Sequence, residues 1–345
     1  MKPQVIKIDP QKINTWLIRR AAGVIRRGGL VAFPTETVYG LGANALNPEA
    51  VTGIFAAKER PLDDPLIVHI AFEEELYKLA EEVPEEAKKL IKEFWPGPLT
   101  VVLKKTEVVP DIVTTGLDTV AIRMPSNAIS RELISMSGVP IAAPSANLFG
   151  RPSPTKAQHV IYDLDGRIDL ILDGGPTEIG IESTVVEFIE GKVIVLRPGG
   201  IDVESLHSVI GNVHVYSGPE ISKKSPGKYP QHYSPKAKVL VVEDGDSQVG
   251  DVKMVVQNMI RKKKKVGIMA KKEHADEYSR FDVKILGPRN NGKKCASNLF
   301  HILREFDSEN MDVIIAEAIP ERGLGLAVMN RLHKAAGTPG VQGSE

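Results

Sequence analysis

Three cationic side chains in the first 200 residues could hold a polyphosphate. Lys58 and Arg60 lie two residues apart at the predicted end of one helix, and Arg197 follows an apolar run much later in the chain. An arginine binds phosphate oxygens through a two-pronged guanidinium, whereas a lysine acts as a point charge. Ser145 and Asn147 add neutral hydrogen-bond donors. Together these five residues predict a site for a triphosphate.

A second set of polar residues has the composition of a site for a small zwitterion. Thr37, His69, Arg123 and Ser183 each lie close to the end of an apolar run. We expect Arg123 to bind the carboxylate of such a ligand. The sequence contains none of the G-x-S-x-G, H-E-x-x-H or H-x-E with C-x-x-C patterns of nucleophilic or zinc-dependent catalysis. Catalysis by positioning two bound substrates is therefore favoured over covalent catalysis.

The elements that must position these residues are strands that end in polar turns. The apolar run 30–33 is followed by a turn of hydroxyl and glycine residues, and a helix then starts at Asn47-Pro48. Three later apolar runs also end in polar groups, within 121–123, 141–147 and 182–186. Open α/β sheets place their sites where strands end, so several such ends predict one binding cleft.

The order of the predicted elements indicates an α/β protein of two domains, as a length of 345 residues also suggests. Residues 1–216 mix helices with hairpin-like strand pairs, which is typical of an α+β domain with a twisted open sheet. Residues 217–236 are rich in Pro, Gly, Ser and Lys and predict a linker. Residues 237–345 alternate strands and helices, which predicts a smaller, Rossmann-like parallel α/β domain. It lacks a G-x-G-x-x-G or P-loop pattern, so no nucleotide is assigned to it.

The first helix is predicted from its capping residues and its apolar stripe. Asp9-Pro10 supplies a good N-cap and first position, and the stripe ends at Gly28-Gly29. Four arginines lie off this stripe, where a solvated face is favoured over an RNA-binding one. They are Arg19, Arg20, Arg26 and Arg27.

Composition excludes several classes of protein. The 44 basic residues balance the 44 acidic ones, so no global field favours a binder of duplex nucleic acid. A single cysteine, Cys295, excludes an intramolecular disulfide and a thiolate zinc cluster, and the simplest compartment is the cytoplasm. The first nine residues lack the apolar core of a signal peptide, and nowhere do eighteen apolar residues run together. We expect no membrane contact.

Six short motifs, in this order, resemble those of the threonylcarbamoyl-AMP synthase (YrdC-like) family. They are PTETVYGL at 34–41, K-x-R-P at 58–61, PLIVH at 65–69, S-x-N at 145–147 with PSPT at 152–155, ESTV at 182–185 and LRPG at 196–199. The resemblance covers roughly the first 216 residues. The linker and the domain after it are similar to the longer, two-domain form of that enzyme.

The resemblance implies an activity and its substrates. The protein would join L-threonine, bicarbonate and ATP into threonylcarbamoyl-adenylate and release pyrophosphate, with Mg²⁺ accompanying ATP and no magnesium ligands identified. The product would serve N6-threonylcarbamoyladenosine modification of tRNA and pass to a tRNA threonylcarbamoyl transferase complex. Direct contact with tRNA would be weak at most.

The resemblance also implies site residues, with Lys58 and Arg60 as the catalytic pair. The implied threonine site is Thr37, Tyr39, His69, Arg123, Ala143 and Ser183. The implied ATP site is Lys58, Arg60, Thr119, Ser145, Asn147, Arg197, His232 and Tyr233.

The linker carries a further prediction. It is too long for a tight connection and holds His232 and Tyr233 between prolines that stiffen it. Long ordered loops are often lids. We therefore expect residues 217–235 to close over the first domain's cleft, with His232 and Tyr233 limiting hydrolysis of the bound adenylate by water. A stiff spacer is the alternative.

Three other functions compete with this one. An RNA-binding module without catalysis would need aromatic platforms or a basic excess, whereas aromatics make up 5% and the formal net charge is zero. A related carbamoyl-transferring maturation enzyme usually adds cysteine-rich zinc segments, which one cysteine disfavours. A vestigial first domain is disfavoured because Lys58, Arg60, Ser145 and Asn147 are intact.

The same residues also have purely structural explanations. His69 on an apolar strand could be a satisfied core histidine. Lys58 and Arg60 could be a solvated helix end, and Thr37 and Tyr39 could only stabilise a turn.

Overall fold

The computed structural model describes residues 2–216, 229 and 232–337. Within them the chain forms two compact units. The first takes in 2–149, 153–178 and 182–216, and the second takes in 150–152, 179–181, 229 and 232–337. The predicted domain limits at 216 and 236 stay a prediction, because most of the segment between them lies outside the described residues.

An eleven-stranded sheet is the frame of the first unit. Its strands are β1 (Gln4–Lys7), β2 (Val31–Pro34), β3 (Tyr39–Asn44), β4 (Ile67–His69), β5 (Leu99–Lys104), β6 (Thr119–Arg123), β7 (Ile141–Ala142), β8 (Leu170–Asp173), β9 (Thr184–Ile189), β10 (Lys192–Arg197) and β11 (Val213–Val215). Their order is β1-β8-β2-β3-β7-β4-β6-β5-β9-β10-β11, with parallel and antiparallel pairs. The predicted open sheet with mixed helices and strands is confirmed.

Two layers of helices pack on this sheet. They are α1 (Thr15–Arg26), α2 (Pro48–Lys58), α3 (Leu76–Leu79), α4 (Glu85–Phe94), α5 (Asp111–Thr114), α6 (Ala128–Ser137), α7 (Ala157–Leu164) and α8 (Val203–Ile210). Apolar residues of α2, α4, α5, α7 and α8 form the larger core on one face. Helices α1 and α6 form a second core with strands β1, β2, β7 and β8. The remaining part of that second face carries the site.

Helix α2 shows how local sequence fixes an element. The side chain of Asn47 accepts hydrogen bonds from the N–H groups of Glu49 and Ala50, and Pro48 occupies the first turn, where its missing N–H costs nothing. The helix ends because Glu59 adopts a left-handed conformation, with φ of 54°. Lys58 is thus the last helical residue, as predicted.

The predicted cap of the first helix is wrong. Helix α1 begins at Thr15, and the side chain of Asn14 accepts the N–H of Trp16. Asp9 instead accepts the N–H of Gln11 at 2.9 Å, which closes a turn before the helix. The predicted end is confirmed: the last helical residue is Arg26, and the glycine pair caps the helix, with Gly28 at a φ of 84° and Gly29 N–H donating to Val24 O at 2.9 Å.

The predicted polar turn after β2 contains a strand. Residues Tyr39–Asn44 form β3, which pairs antiparallel with β2. Its glycines suggested a turn, but Gly42 serves close packing, since a Cβ there would lie 2.7 Å from both Phe33 and Ile141. Only residues 35–38 turn, with Thr35 Oγ1 donating to Val38 O at 2.6 Å.

The second unit is a four-stranded sheet with helices. Its elements are β12 (Lys238–Val242), α9 (Gln248–Arg261), β13 (Val266–Lys271), β14 (Asp282–Gly287), α10 (Gly292–Ser308), β15 (Val313–Glu317) and α11 (Leu324–Ala336). The strand order is β12-β15-β13-β14, and every pair is parallel. The predicted parallel α/β arrangement is confirmed.

Candidate active site

A polar row crosses four neighbouring strands of the first unit. The strand registers align His69 on β4 with Arg123 on β6, and Arg123 with Thr100 on β5. Thr100 Oγ1 in turn lies 2.8 Å from Oγ of Ser183, the residue before β9. The polar row (His69, Arg123, Thr100 and Ser183) therefore brings together three residues of the predicted threonine site. Thr100 was not predicted.

An apolar floor lies beside the polar row. Side chains alternate between the two faces of a strand, so Ile67 shares a face with His69, and Ala121 and Thr119 share one with Arg123. Ile67 and Ala121 form a small buried cluster with Val102 and Val185, separate from the larger cores. Thr119 stands about 13 Å along β6 from Arg123. The residue predicted to bind threonine and the residue predicted to bind ATP therefore lie on one face of β6, separated along the strand.

Arg123 is held in place by three hydrogen bonds. Its Nη2 donates to Glu36 Oε1 at 2.6 Å, its Nη1 to Thr37 Oγ1 at 3.0 Å, and its Nε to Gly97 O at 3.2 Å. Arg123 is 3% exposed and Glu36 is 5% exposed. Three of the five N–H groups of the guanidinium are used in this way, so its plane is oriented before any substrate arrives.

His69 is a neutral ring next to Arg123. It is buried, its Nδ1 lies 3.2 Å from Ile67 O, and its ring meets Phe33 edge-on. Burial, and then the nearby charge of Arg123, lowers the pKa of His69 to about 3. A satisfied core histidine and a neutral neighbour of a substrate are both compatible with this environment.

His69 gives the protein a pH-dependent stability. Its pKa is about 3 in the folded state and 6.5 without burial, so between these values only the unfolded state binds the proton. The free energy of unfolding therefore falls as pH falls through this window, by up to about 1.4 kcal/mol per pH unit. We expect His69→Gln to remove this part of the slope, measured by urea unfolding between pH 7 and pH 5. Equal slopes in both proteins would contradict the assignment.

Arg197 connects the predicted triphosphate and threonine sites. Its Nη2 donates to Ser183 Oγ at 3.1 Å and to Ser183 O at 3.0 Å. Arg197 is 6% exposed. A cation assigned to phosphate thus also fixes a hydroxyl assigned to threonine.

Gly199 packs against the backbone of Ser183 so closely that there is no room for a side chain at position 199. A Cβ at Gly199 would lie 2.3 Å from the carbonyl carbon of Ser183 and 2.4 Å from Thr184 N. Backbone atoms cannot move aside cheaply, and overpacking typically costs about 1–3 kcal/mol. We expect Gly199→Ala to lower the free energy of unfolding by about this much in urea.

A matched control for this substitution is Gly53→Ala in helix α2. A Cβ there would meet Leu30 at 3.5 Å, an ordinary contact, and alanine favours a helix. We expect its stability to be unchanged or raised. Wild-type stability in the Gly199→Ala protein would show that the backbone of 182–184 is not confined as described.

Lys58 is buried against the loop that carries Ser145 and Asn147. It is 1% exposed, and its Nζ donates to Ser145 O at 2.5 Å and to Asn147 O at 2.6 Å. That loop is anchored to β3, because Ala146 N–H donates to Tyr39 O at 2.8 Å. A solvated helix end is therefore excluded for Lys58. The structure places Lys58 next to both predicted neutral donors, Ser145 and Asn147, but its ammonium group contacts their backbone carbonyl oxygens rather than their side chains.

Arg60 has a buried counter-ion. Its Nη2 lies 2.9 Å from Asp64 Oδ2 and donates to Pro65 O at 2.9 Å. Arg60 is 8% exposed and Asp64 is fully buried. A solvated helix end is excluded here as well. The sequence prediction missed Asp64 as the partner, although an Arg–Asp pair four residues apart is a recognisable local signal.

Tyr39 and Ala143, which were also predicted to bind threonine, are not members of the polar row. Tyr39 is buried, its hydroxyl donates to Gly175 O at 2.6 Å, and burial raises the pKa of its phenol. The N–H of Ala143 donates to Ile67 O at 2.9 Å, which places its backbone beside the apolar floor. Their predicted roles with threonine stay predictions.

Two family profiles match nearly the whole chain. The profile described as "Telomere recombination" matches residues 23–199, and the profile described as "Threonylcarbamoyl-AMP synthase, C-terminal domain" matches residues 201–337. The threonylcarbamoyl-AMP synthase of Pyrococcus abyssi is 51% identical over 332 residues, which cover 95% of this chain and 96% of that protein. This chain belongs to the threonylcarbamoyl-AMP synthase family. A Bacillus subtilis member is 48% identical and covers 95% of both chains.

A solved threonylcarbamoyl-AMP synthase has the same fold. The crystal structure of Pyrococcus abyssi Sua5 complexed with L-threonine is 49% identical, has a TM-score of 0.90, and covers 96% of this chain and 97% of that one. The family is thus represented here in its two-domain form. The full-length match favours a synthase over the RNA-binding and maturation alternatives.

His232 and Tyr233 lie in the second unit of this synthase-family chain. They are 6% and 2% exposed, and the Tyr233 ring packs on Phe300 at 5.4 Å with the Arg331 guanidinium over it at 5.4 Å. Tyr233 has a φ of 62°, which is uncommon for a residue other than glycine. Residues 217–228, 230 and 231 of the predicted lid lie outside the described residues. The lid and the nucleotide contacts of this pair stay predictions.

Proposed function

We propose that this protein is a threonylcarbamoyl-AMP synthase, which condenses L-threonine, bicarbonate and ATP into threonylcarbamoyl-AMP and pyrophosphate. The observation that carries the proposal is 51% identity to the Pyrococcus abyssi synthase over 95% of the chain. The buried, pre-oriented polar row supports it, because an amino-acid substrate needs a fixed guanidinium and hydroxyl groups in one place.

The threonine site in this proposal is the polar row with Thr37. Arg123 binds the carboxylate of L-threonine. The hydroxyls of Thr37 and Ser183 surround the substrate's own hydroxyl. His69, which is neutral because of its lowered pKa, adds a ring nitrogen without adding a charge.

The chemical step needs two anions, the carbamate formed from threonine and the triphosphate of ATP, to approach each other. The threonine amine attacks the bicarbonate carbon, a C–N bond forms and water leaves, which gives a carbamate. A carbamate oxygen then attacks the α-phosphorus of ATP, and the bond to the leaving pyrophosphate breaks in line with it. Lys58, Arg60 and Arg197 neutralise the triphosphate charge, and their burial strengthens this effect.

Several accompanying assignments are part of the proposal. Mg²⁺ would enter with ATP, bound mainly through phosphate oxygens and water, as is usual for this ion. Within the described residues no group of three or more His, Cys, Asp or Glu side chains could hold a metal ion. Transfer of the product to a tRNA threonylcarbamoyl transferase complex, weak contact with tRNA, and a cytoplasmic location are proposed on the family resemblance and composition. No helix in the described part of the chain combines the length and apolar character needed to cross a membrane.

The test is amino-acid-dependent release of pyrophosphate. The purified full chain is incubated with ATP, bicarbonate and one amino acid at a time, and the adenylate is identified by mass spectrometry. We expect pyrophosphate and threonylcarbamoyl-AMP with L-threonine. Filter binding to tRNA without any amino-acid-dependent turnover would instead support an RNA-binding module.

A further inference from the structure

The solvent side of helix α1 carries a concentration of positive charge. Residues 1–35 contain seven of the chain's 44 basic residues but one of its 44 acidic residues. That acidic residue, Asp9, accepts the N–H of Gln11 in the turn before the helix. Four of the basic residues lie on α1 or at its C-terminal cap, and all four are exposed. They are Arg19, Arg20, Arg26 and Arg27. A local positive field therefore exists in a chain whose net charge is zero.

Trp16 lies on the same side of the helix and is 61% exposed. Helix residues that are three, four or seven apart share a face, so Trp16, Arg20 and Arg27 form a line about 16 Å long. The Arg27 guanidinium extends back along this line, because a Cβ at Gly23 would lie 3.2 Å from its Nη1. Arg19 flanks the line, three residues from Trp16. These residues, Trp16, Arg19, Arg20 and Arg27, are called the α1 face below.

The indole ring of Trp16 is supported on one side only. The Arg20 guanidinium lies over the ring, 5.2 Å from its centroid, and Arg20 Nη2 donates to Gln4 Oε1 at 3.1 Å. Gln4 belongs to β1, the edge strand of the sheet, so Arg20 is fixed between helix and sheet. With one ring face covered by this cation, the 61% exposure of the side chain leaves the opposite face to solvent. A flat apolar group that covered this second face would be held by the hydrophobic effect and by stacking.

Two of the neighbouring arginines are available for an anion. Arg26 is directed towards α6, where its Nη1 donates to Met136 O at 2.5 Å. Within the part of the chain that the structure describes, neither Arg19 nor Arg27 forms an ion pair. The α1 face thus combines an open aromatic ring with guanidinium groups on either side of it.

We propose that the α1 face binds a single-stranded segment of RNA, with one base stacked on Trp16 and phosphates bound by Arg19 and Arg27. Each nucleotide combines one negative charge with one flat ring, which is the combination that this face presents. Unpaired bases are required, because the bases of a duplex already stack on each other. The choice of RNA over DNA rests on the proposed function, whose product serves tRNA. The α1 face itself shares no residue with the candidate active site.

Other partners fit this surface less well. The apolar residues of α1, among them Ile18 and Ile25, are buried in the core, and Trp16 is the one large apolar side chain exposed on the helix. A membrane-surface helix needs a whole apolar face instead. An acidic protein segment would match the arginines but would leave the indole uncovered. The sequence favoured a solvated face for these arginines, and the exposed ring beside them is the observation that changes this interpretation.

The test is the affinity of the full chain for a labelled, unstructured RNA of roughly ten nucleotides, measured by fluorescence anisotropy. The comparison ligands are the same RNA paired with its complement, DNA of the same sequence, and vesicles of phosphatidylcholine with phosphatidylserine. Stacking also has a direct signal. The other tryptophan, Trp95, is 8% exposed and its indole N–H donates to Leu99 O at 2.8 Å, so bound RNA should quench the fluorescence of Trp16.

Trp16→Ala should weaken binding of the single-stranded RNA about 5- to 100-fold, the usual loss for one stacked base. Trp16→Phe keeps an aromatic ring and should retain most of the affinity. Tyr77→Ala is the matched control, because Tyr77 is another exposed aromatic residue, at 55%, and lies outside the α1 face. We expect it to bind RNA as wild type does.

The arginines are tested by the salt dependence of binding. In the double variant Arg19→Gln with Arg27→Gln, the slope of log K against log salt concentration should become shallower by about 0.7 for each charge removed. Lys262→Gln with Lys263→Gln removes two exposed cations after α9 and should leave the slope unchanged. An equal change in both double variants would overturn the proposal, because binding would then follow total charge.

Several results would overturn the proposal without depending on a variant. They are wild type that binds no RNA, duplex bound as tightly as the single strand, DNA bound more tightly than RNA, and binding to the vesicles but not to RNA. Unchanged affinity in Trp16→Ala would overturn it as well. Pyrophosphate release in the absence of RNA should be the same in every variant, since the α1 face lies outside the active site. Failure of the proposed function looks different: no amino acid would then cause pyrophosphate release, whether or not RNA binds.

Discussion

Lys58→Met should slow threonylcarbamoyl-AMP formation by about 10²- to 10³-fold, the usual loss for one preorganised electrostatic contact. Methionine retains most of the buried stem but removes the ammonium group. In the structure that group is fixed by two carbonyl oxygens, at 2.5 Å and 2.6 Å, so its charge is in place before ATP binds. Arg60→Ala should lose at least a comparable factor, because it removes the second buried cation near the helix end and leaves the Asp64 carboxylate without its counter-ion.

The measurement is the rate of pyrophosphate release at saturating ATP and threonine, with far-ultraviolet circular dichroism to confirm folding. Lys265→Met is a suitable control, since Lys265 Nζ also donates to a backbone carbonyl, Glu309 O, at 2.6 Å. We expect its rate to be unchanged. Near-normal turnover in both Lys58→Met and Arg60→Ala would remove this pair from the catalytic machinery.

The elements that sequence predicted best are those fixed by adjacent residues. Helix α2 begins and ends where expected because each end is fixed by adjacent residues: Asn47 and Pro48 form its first turn, and Glu59, next to Lys58, adopts the left-handed conformation that ends it. The second unit was also predictable, since alternating apolar strands and helices leave few topologies other than a parallel sheet. Both cases depend on local sequence signals.

The errors arose where distant residues decide the local structure or where two local signals compete. Gly42 suggested a turn, but it lies in β3 because Phe33 and Ile141 approach too closely for a side chain. Asp9 and Asn14 are both good capping residues, and α1 uses the second. Sequence alone ranks such competing signals poorly.

The site shows the same difference between what adjacent residues fix and what distant residues decide. Residue types identified Arg123, Ser183 and Lys58 as candidates, but not the groups that hold them. The ion pair of Glu36 with Arg123 and the contact of Thr100 with Ser183 depend on which strands are neighbours. The sequence separation of these pairs is 87 and 83 residues, which no local pattern spans.

Threonine should be strongly preferred over alanine, and serine should be intermediate. Thr37 Oγ1 is held by Arg123 at 3.0 Å, and Ser183 Oγ is held by Thr100 at 2.8 Å. A site built to bond a hydroxyl leaves buried polar groups unpaired when the ligand lacks one, and discrimination then reaches about 10⁴-fold. Serine keeps the hydroxyl and loses only a methyl group, which is worth roughly 10- to 200-fold.

The test is kcat/KM for pyrophosphate release with each of the three amino acids. In Ser183→Ala the ratio of threonine to alanine should fall by at least about tenfold, because one of the polar groups that alanine leaves unpaired is gone. Ser208→Ala removes an exposed hydroxyl that donates to Ser205 O at 2.7 Å, so this control should keep the wild-type ratio. Equal rates with threonine, serine and alanine in the wild type would mean that Thr37 and Ser183 do not surround the substrate hydroxyl. A ratio unchanged in Ser183→Ala alone would assign the hydroxyl to Thr37, whose bond to Arg123 would then couple recognition of the side chain to recognition of the carboxylate.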